Sequence, residues 1–451
     1  MSFPPYAEYK DSGVAWLGAV PGHWEVMRFK NSIADCRNGI WGDEAIGDEN
    51  DIICIRVADF HRDAGLVDIS DPTFRNVREQ DRQSRLVVDG DLLLEKSGGG
   101  EKQLVGAVVR YTHPDPAICS NFVARMRLAE GMSSSFWTYA HAAAYAVRLN
   151  YQSIKQTSGI QNLDQTQYFD ELAAFPPLAE QEAIAGFLDR EVGKIDSLVT
   201  EQERLIALLK EKRQAVISHA VTKGLNPTAP LKDSGIEWLG QIPAHWEVVR
   251  LGNLYQEAVR TGSDELPILS VSIHRGVSDY EIPDEDMERN VARSEDRSKY
   301  KRVQPNDLVY NMMRAWQGGF GTVQTHGQVS PAYVVAQPTR TLRSEYIEAL
   351  LRTPCAVEEM RRHSRGVTDF RLRLYWDEFK DIKVALPPSD EIDAILAAGA
   401  AIVEQFTALE ATSQSAITLL AERRAALISA AVTGKIDVRT VATQSAEMET
   451  A

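Results

Sequence analysis

A chain of 451 residues is too long for one ordinary domain, and its net charge of −15 does not by itself suggest a nucleic-acid binder. A content of 44% hydrophobic and 25% charged residues is that of a globular protein, and no run of about 18 apolar residues marks a membrane span. The start, MSFPPYAEYKDSG, lacks a basic and apolar leader, and Cys36, Cys54, Cys119 and Cys355 lie too far apart for a zinc site or a disulfide framework, so a reducing cytoplasm is expected.

The first element is a phrase, KDSGVAWLGAVPGHWEVMRF, beginning at Lys10. It returns at Lys232 as KDSGIEWLGQIPAHWEVVRL, and 13 of 19 positions agree between residues 10–28 and 232–250. Tryptophan and histidine are rare, so agreement at Trp16/Trp238, His23/His245 and Trp24/Trp246 marks an internal duplication. After the first phrase, DIICIRVADF, GDLLLEKSGGG and QLVGAVVRY read as short strands with turn punctuation. SSFWTYAHAAAYAVRLNY reads as a helix.

Pro176 and Pro177 then introduce a long helix. Leu188, Ile195, Leu209 and Val216 take one heptad position, interrupted by Gln202. Ile184, Leu198 and Leu205 take the other, with Glu191 and Lys212 as exceptions. Beyond the second phrase, LPILSVSI and NDLVYNMM read as strands and SEYIEALLRTPCAVEEMRRH as a helix. A second long helix follows Pro387 and Pro388, and residues 386–435 align without a gap on residues 175–224. In it Phe406, Leu420 and Leu427 alternate with Ile395, Ile402, Leu409 and Ala416. Apolar seams of this length predict a coiled coil, and two equivalent halves predict antiparallel pairing about a pseudo-two-fold axis. The segments between the repeats agree only in patches, such as GIQNLDQTQYFDEL (159–172) with GVTDFRLRLYWDEF (366–379). The expected fold is α+β: a first domain over 1–175, a spacer helix over 176–225, a second domain over 226–386, a second helix over 387–436 and a disordered tail over 437–451.

Enzyme signatures are missing. VTGKID near the C-terminus lacks the upstream glycine and the Ser/Thr of a phosphate-binding loop. FPPL at Phe175 is shaped like the Asn/Asp-Pro-Pro-aromatic motif of amino-methyltransferases, but a phenylalanine cannot hold the target amino group. SGGGEK is no dinucleotide fingerprint, and the nine histidines are scattered. Two copies of one frame around divergent middles suit a binder with two reading heads.

The phrase KDSGIEWLGQIPAHWEV, the helix opening PPLAEQEAIAGFLDREVGKID, LLLEKSGGGEKQLVG and MMRAWQGGFGTV followed by VSPAYVV together resemble the specificity subunits of type I restriction–modification systems. The resemblance runs over residues 8–436. It implies two target-recognition domains, each reading one half of a bipartite site on double-stranded DNA, held apart by the long helices. It also implies docking of two adenine methyltransferase (modification) subunits, then of restriction subunits, and no catalytic residue in this chain. S-adenosylmethionine and ATP with magnesium are then cofactors of those partners, with none bound here. The second helix departs from the pattern, opening SDEIDAILAAGA without the Glu-Gln pair of the first.

Net charge need not exclude DNA, because phosphate neutralisation needs only local basic surface and base reading only a few side chains. RRHSRGVTDFRLR (361–373) carries five arginines against one aspartate. The glycine turn after Lys96 lets backbone approach closely. Candidate DNA-contacting residues are Lys96, Ser97, Gly99, Lys102, Gln103, Lys155, Gln161 and Asn162 in the first half. In the second they are Arg314, Gln317, Arg365, Thr368, Arg371 and Arg373. Candidate partner-docking residues are Trp16, Trp24, Glu180, Gln181, Trp238 and Trp246. Rival readings are a non-catalytic coiled-coil scaffold, a decoy specificity subunit and a fragment of a fused methyltransferase.

Overall fold

The computed structural model describes residues 3–100, 103–157, 159–273, 275–281, 299–366 and 372–439. The chain divides into two compact α+β units, Met1–Gln202 with Ser415–Ala451, and Glu203–Gln414. Each unit holds one head, the beginning of the long helix that follows it, and the end of the other long helix.

In the first unit the chain enters its head on strand Glu25–Arg28 and leaves it on Leu172–Phe175. These strands pair antiparallel, Arg28 opposite Leu172 and Glu25 opposite Phe175. The second unit does the same with Glu247–Arg250 and Lys383–Leu386. The repeated phrase and the repeated helix opening are thus neighbours in a sheet. A head inserted between them has its two ends fixed by the frame, so its middle can diverge.

The first head is built on a six-stranded sheet in the order Ile33–Asn38, Val123–Leu128, Leu92–Glu95, Val108–Arg110, Leu66–Val67, Phe60–His61. All of Leu92–Glu95 is buried: Leu92 and Leu94 enter one core cluster and Leu93 another, while the Glu95 carboxylate is paired with Arg62. Helix Ser134–Ala146 lies on the sheet, capped by the Ser133 hydroxyl and burying Phe136, Trp137, Ala140, Ala143 and Ala144. From the same helix the buried His141 ring stacks on Phe29 with centroids 4.5 Å apart, and its Nδ1 lies 2.8 Å from the Tyr168 hydroxyl.

The second head has a four-stranded sheet, Tyr255–Glu257, Tyr333–Pro338, Leu308–Asn311 and Phe320–Thr322. LPILSVSI contributes only the two-residue strand Val271–Ser272 and an isolated bridge at Ile268. The single helix expected over SEYIEALLRTPCAVEEMRRH is two, Ser344–Leu351 and Pro354–His363. Pro354 has no N–H to continue the first, and the Thr353 hydroxyl caps the second by accepting from the Ala356 N–H at 3.4 Å.

The long helices run over Leu178–Lys223 and Ser389–Val432, each opening directly after its double proline. Forty-six residues make a rod of roughly 70 Å. In the first unit the start of one helix meets the end of the other through Asp196 and Arg424, 3.0 Å apart, as antiparallel pairing requires. In the second unit Arg213 and Glu410 do so at 3.1 Å.

The seam differs from the expected one. Leu188 and Ile195 are buried, but Val216, Leu198, Leu205 and Leu409 are exposed. The second inward position is held by Val192, Val199 and Ile206, four residues after the first rather than three. On the other helix Glu410 takes the place expected for Leu409. Part of the second helix is long and apolar enough to pass for a membrane span by composition, contrary to the sequence expectation. Its start buries Ile392 and Ile395 in the second head's core, and its end buries Ile428, Ala431 and Val432 in the first head's.

The tail expected from residue 437 is packed over its first residues. The Asp437 N–H donates to the Pro4 carbonyl at 2.7 Å and Val438 is fully buried. Residues 440–451 lie outside the described residues.

Candidate nucleic-acid interface

In the first head a small sheet gathers candidates that are distant in sequence. Its strands are Ser97–Gly98, Ile160–Leu163 and Ile154–Thr157 in that order. Asn162 stands opposite Ser97 on one side and Lys155 on the other. Along Ile160–Leu163 exposure alternates, so Asn162 faces out while Gln161 faces in. The Ser97 hydroxyl donates to Asn162 Oδ1 at 2.7 Å, leaving the amide nitrogen as a donor toward solvent. Lys155 Nζ reaches Asp164 Oδ2 at 2.7 Å; this bond, then the Gln167 N–H, holds the Asp164 carboxyl below its ordinary pKa. Lys96 is half-buried, and burial lowers its pKa.

Gln161 is a correction. It is 4% exposed; its Oε1 accepts from the Val105 N–H at 3.1 Å and its Nε2 donates to the Gly100 carbonyl at 3.4 Å. Both ends of the carboxamide brace the glycine turn, and none is left to read a base. Gly99 is equally structural. Its φ is +65°, and a Cβ there would sit 2.8 Å from the Gln103 carbonyl oxygen and 2.8 Å from the Val105 nitrogen. Gly100 and Gln103 close the turn with reciprocal backbone bonds of 2.8 and 3.2 Å, which leaves the Gln103 side chain exposed at its edge. Lys102 lies outside the described residues.

The second head repeats this edge with other residues. The Leu163 N–H donates to the Lys96 carbonyl at 2.8 Å, and the Leu374 N–H donates to the Met312 carbonyl at 2.9 Å. Tyr168, fully buried, has its counterpart in Phe379, whereas Tyr375 is 41% exposed. The patch alignment of 159–172 with 366–379 is therefore four residues out of register: Leu163 corresponds to Leu374, and Asn162 to Arg373. Arg373 bridges Arg365 through two backbone bonds of 2.9 Å, as Asn162 pairs with Lys155. The Arg365 guanidinium pairs with Glu378. Arg314 and Gln317 lie in the turn that follows Leu308–Asn311, where the Gln317 N–H donates to the Arg314 carbonyl at 2.9 Å and the Gln317 side chain is exposed. Thr368 and Arg371 lie outside the described residues.

Four of the six docking candidates turn inward, a second correction. Trp24 and Trp246 are buried, and each indole Nε1 donates to a carboxylate, Glu180 at 2.9 Å and Glu391 at 3.0 Å. His23 and His245 reach the same carboxylates at 2.7 Å each. Gln181, 1% exposed, accepts from the Ser133 N–H at 2.9 Å and donates to the Pro176 carbonyl at 2.9 Å. Trp16 is half-buried and donates to the Leu172 carbonyl at 3.0 Å. Trp238 is half-buried, and its Nε1 has no acceptor among the described residues. The repeated phrase is a clasp that grips the first turn of the following helix. Ile392 in the second core replaces Gln181, which accounts for the departure in the second helix opening.

Among the described residues no three of His, Cys, Asp and Glu converge as a metal cradle.

No family model matches the chain. It is 25% identical over 297 residues to the EcoBI type I restriction enzyme specificity subunit of Escherichia coli, a match covering 62% of this chain and 60% of that one. It is 23% identical over 241 residues to the specificity subunit named for the MjaX type I restriction enzyme of Methanocaldococcus jannaschii, covering 52% and 54%. The matches thus span less than two thirds of either relative. Among solved structures, the HsdS subunit from Thermoanaerobacter tengcongensis superposes with a TM-score of 0.52 at 15% identity, covering 92% of this chain and 98% of that one. A structure on assembly and conformational transition of a type I restriction–modification system gives a TM-score of 0.60 at 17% identity, with the same coverage, and both show a shared fold. In sequence the chain is thus similar to type I restriction enzyme specificity subunits, and it shares the fold of solved HsdS structures.

Proposed function

We propose that this chain is the non-catalytic, DNA-reading subunit of a type I restriction–modification complex, with one head for each half of a bipartite double-stranded site. The observation that carries the reading is the repeated frame: the same clasp and strand pair close both units around edges that differ in sequence. Asn162 with Ser97, Lys155 and Gln103 forms the edge of one head, and Arg373 with Arg365 and Gln317 that of the other. Such groups supply base-edge donors and acceptors, while the charged ones also meet phosphates.

On this reading the exposed apolar residues of the long helices, among them Leu205, Leu208 and Leu409, are surface for modification subunits, to which restriction subunits then join. S-adenosylmethionine and ATP with magnesium belong to those partners, and the assembly works in the cytoplasm. Selection of bound duplexes from a random-sequence pool, with and without a modification subunit, tests the proposal. Two short specified blocks at a fixed spacing support it. A bound pool with no sequence in common contradicts it.

A further inference from the structure

A cleft of about 940 Å³ opens beside the glycine turn of the first head, with His61, Arg62, Asp63, Gln103, Tyr145 and Arg148 in its lining. The edge described above uses only Gln103 of these. Arg62 Nη2 donates to Oε1 of the fully buried Glu95 at 2.8 Å and its guanidinium also reaches the Tyr145 hydroxyl, while among the described residues its buried Nη1 meets no acceptor in strict hydrogen-bond geometry. A guanidinium anchored by a buried carboxylate presents its remaining donors toward the cleft in a fork suited to an oxyanion.

Arg148 lies just beyond the end of helix Ser134–Ala146. It is exposed, and among the described residues its side chain makes no hydrogen bond or ion pair. Its backbone is left-handed at φ +57°, a conformation that favours glycine and strains a residue with a Cβ. Between the two arginines stands Tyr145, whose hydroxyl donates to the Leu104 carbonyl at 2.6 Å and so ties the cleft wall to the glycine turn. Burial raises the Tyr145 pKa and Glu95 adds to the rise, while Arg62, by its charge and a hydrogen bond to the hydroxyl, and then Arg148 pull it back. Of the lining residues Asp63 is the acid, Glu95 being buried and paired with Arg62, and Arg424 grips the Asp63 backbone carbonyl.

We propose that this cleft binds a phosphate group through Arg62 and Arg148, and that in the DNA complex its occupant is a backbone phosphate next to the bases faced by Gln103 and Asn162. The DNA half of the inference rests on the proposed function; the phosphate half does not. A free phosphate compound would satisfy the same chemistry.

The test uses the full chain and its Arg148→Gly variant. Glycine suits the left-handed backbone, so the variant should melt no lower than the parent. Duplex affinity is measured against salt concentration on selected and random sequences, and melting is followed with added inorganic phosphate. A backbone phosphate predicts weaker binding by a similar factor on every sequence, with the salt slope reduced by about one. Arg62→Lys, which keeps the charge but loses the fork, should weaken binding on every sequence as well. An unchanged slope, with phosphate raising the melting point of the parent but not of Arg148→Gly, keeps the cleft and assigns it to a free phosphate compound. Phosphate stabilisation without any DNA binding would leave the cleft standing while the DNA-reading proposal fails. A variant that selects different bases, or one that matches the parent in both salt slope and phosphate response, overturns the inference.

Discussion

Trp24 and Glu180, 156 positions apart in the chain, are joined by an indole-to-carboxylate hydrogen bond of 2.9 Å, and Trp246 and Glu391 repeat it at 3.0 Å across 145. Glu180 and Glu391 sit in the first turn of their helices, where a negative charge also suits the helix dipole. The first clasp is the richer one: Tyr6 donates to Glu180 at 3.3 Å and Arg439 lies 3.5 Å from it.

Glu391→Ala should therefore destabilise the chain by about 1–3 kcal/mol, because it leaves the buried Trp246 N–H unpaired. Glu180→Ala should cost more, since Tyr6 and Arg439 lose their partner too. Urea denaturation of both variants measures the difference. Equal and negligible losses would show that the clasp is ornamental.

His141 gives a pH signature. Full burial drops its pKa from 6.5 to about 3, so the folded state holds it neutral while the unfolded chain protonates it. Its contribution is complete above 6.5 and is lost as the pH falls from there toward 3. In that window the parent should lose about 1.4 kcal/mol per pH unit relative to His141→Phe. Denaturation of both proteins across the window checks the slope, and parallel curves would refute it.

The segments around Pro4 and Asp437 meet where the second unit has continuous backbone. Asp437 N–H donates to the Pro4 carbonyl at 2.7 Å, and the Tyr9 hydroxyl donates to the Gly434 carbonyl at 3.1 Å. The corresponding place in the second unit is the exposed turn after Gly224. A permuted chain, joined from residue 439 to residue 3 by a short linker and opened after Thr228, should fold with the parent's circular dichroism and a melting point within a few degrees. Loss of cooperative melting would contradict the equivalence.

Gln161 and Asn162 are adjacent but should behave as opposites. Gln161→Ala frees the Val105 N–H and the Gly100 carbonyl, so stability should fall by about 1–3 kcal/mol. Asn162→Ala should leave stability within about 0.5 kcal/mol and weaken DNA binding at one half-site by about 1–3 kcal/mol. Melting and duplex affinity measured on both variants separate the roles.

Much of this was legible in the chain. The matching phrases gave away the duplication, and the double prolines marked where both long helices begin. What escaped depended on facing rather than residue type. A heptad seam can be stepped by three or by four, and only packing selected Val192 and Val199 over Leu198. Gln161 and Asn162 are equally polar, and only the strand's alternation decides which one is buried. The clasp escaped because nothing local links Trp24 to a carboxylate 156 residues away. The four-residue register error arose because Tyr375 resembles Tyr168 in type, although Phe379 takes its place in the core.

The central claim is that each frame carries a separable reading head. It is tested most directly by replacing residues 31–171 with the matching segment of a related subunit and selecting bound duplexes from a randomised pool. The account predicts that one block of the selected site changes while the other block and the gap between them stay as in the parent. A hybrid that folds yet changes both blocks, or neither, would contradict it.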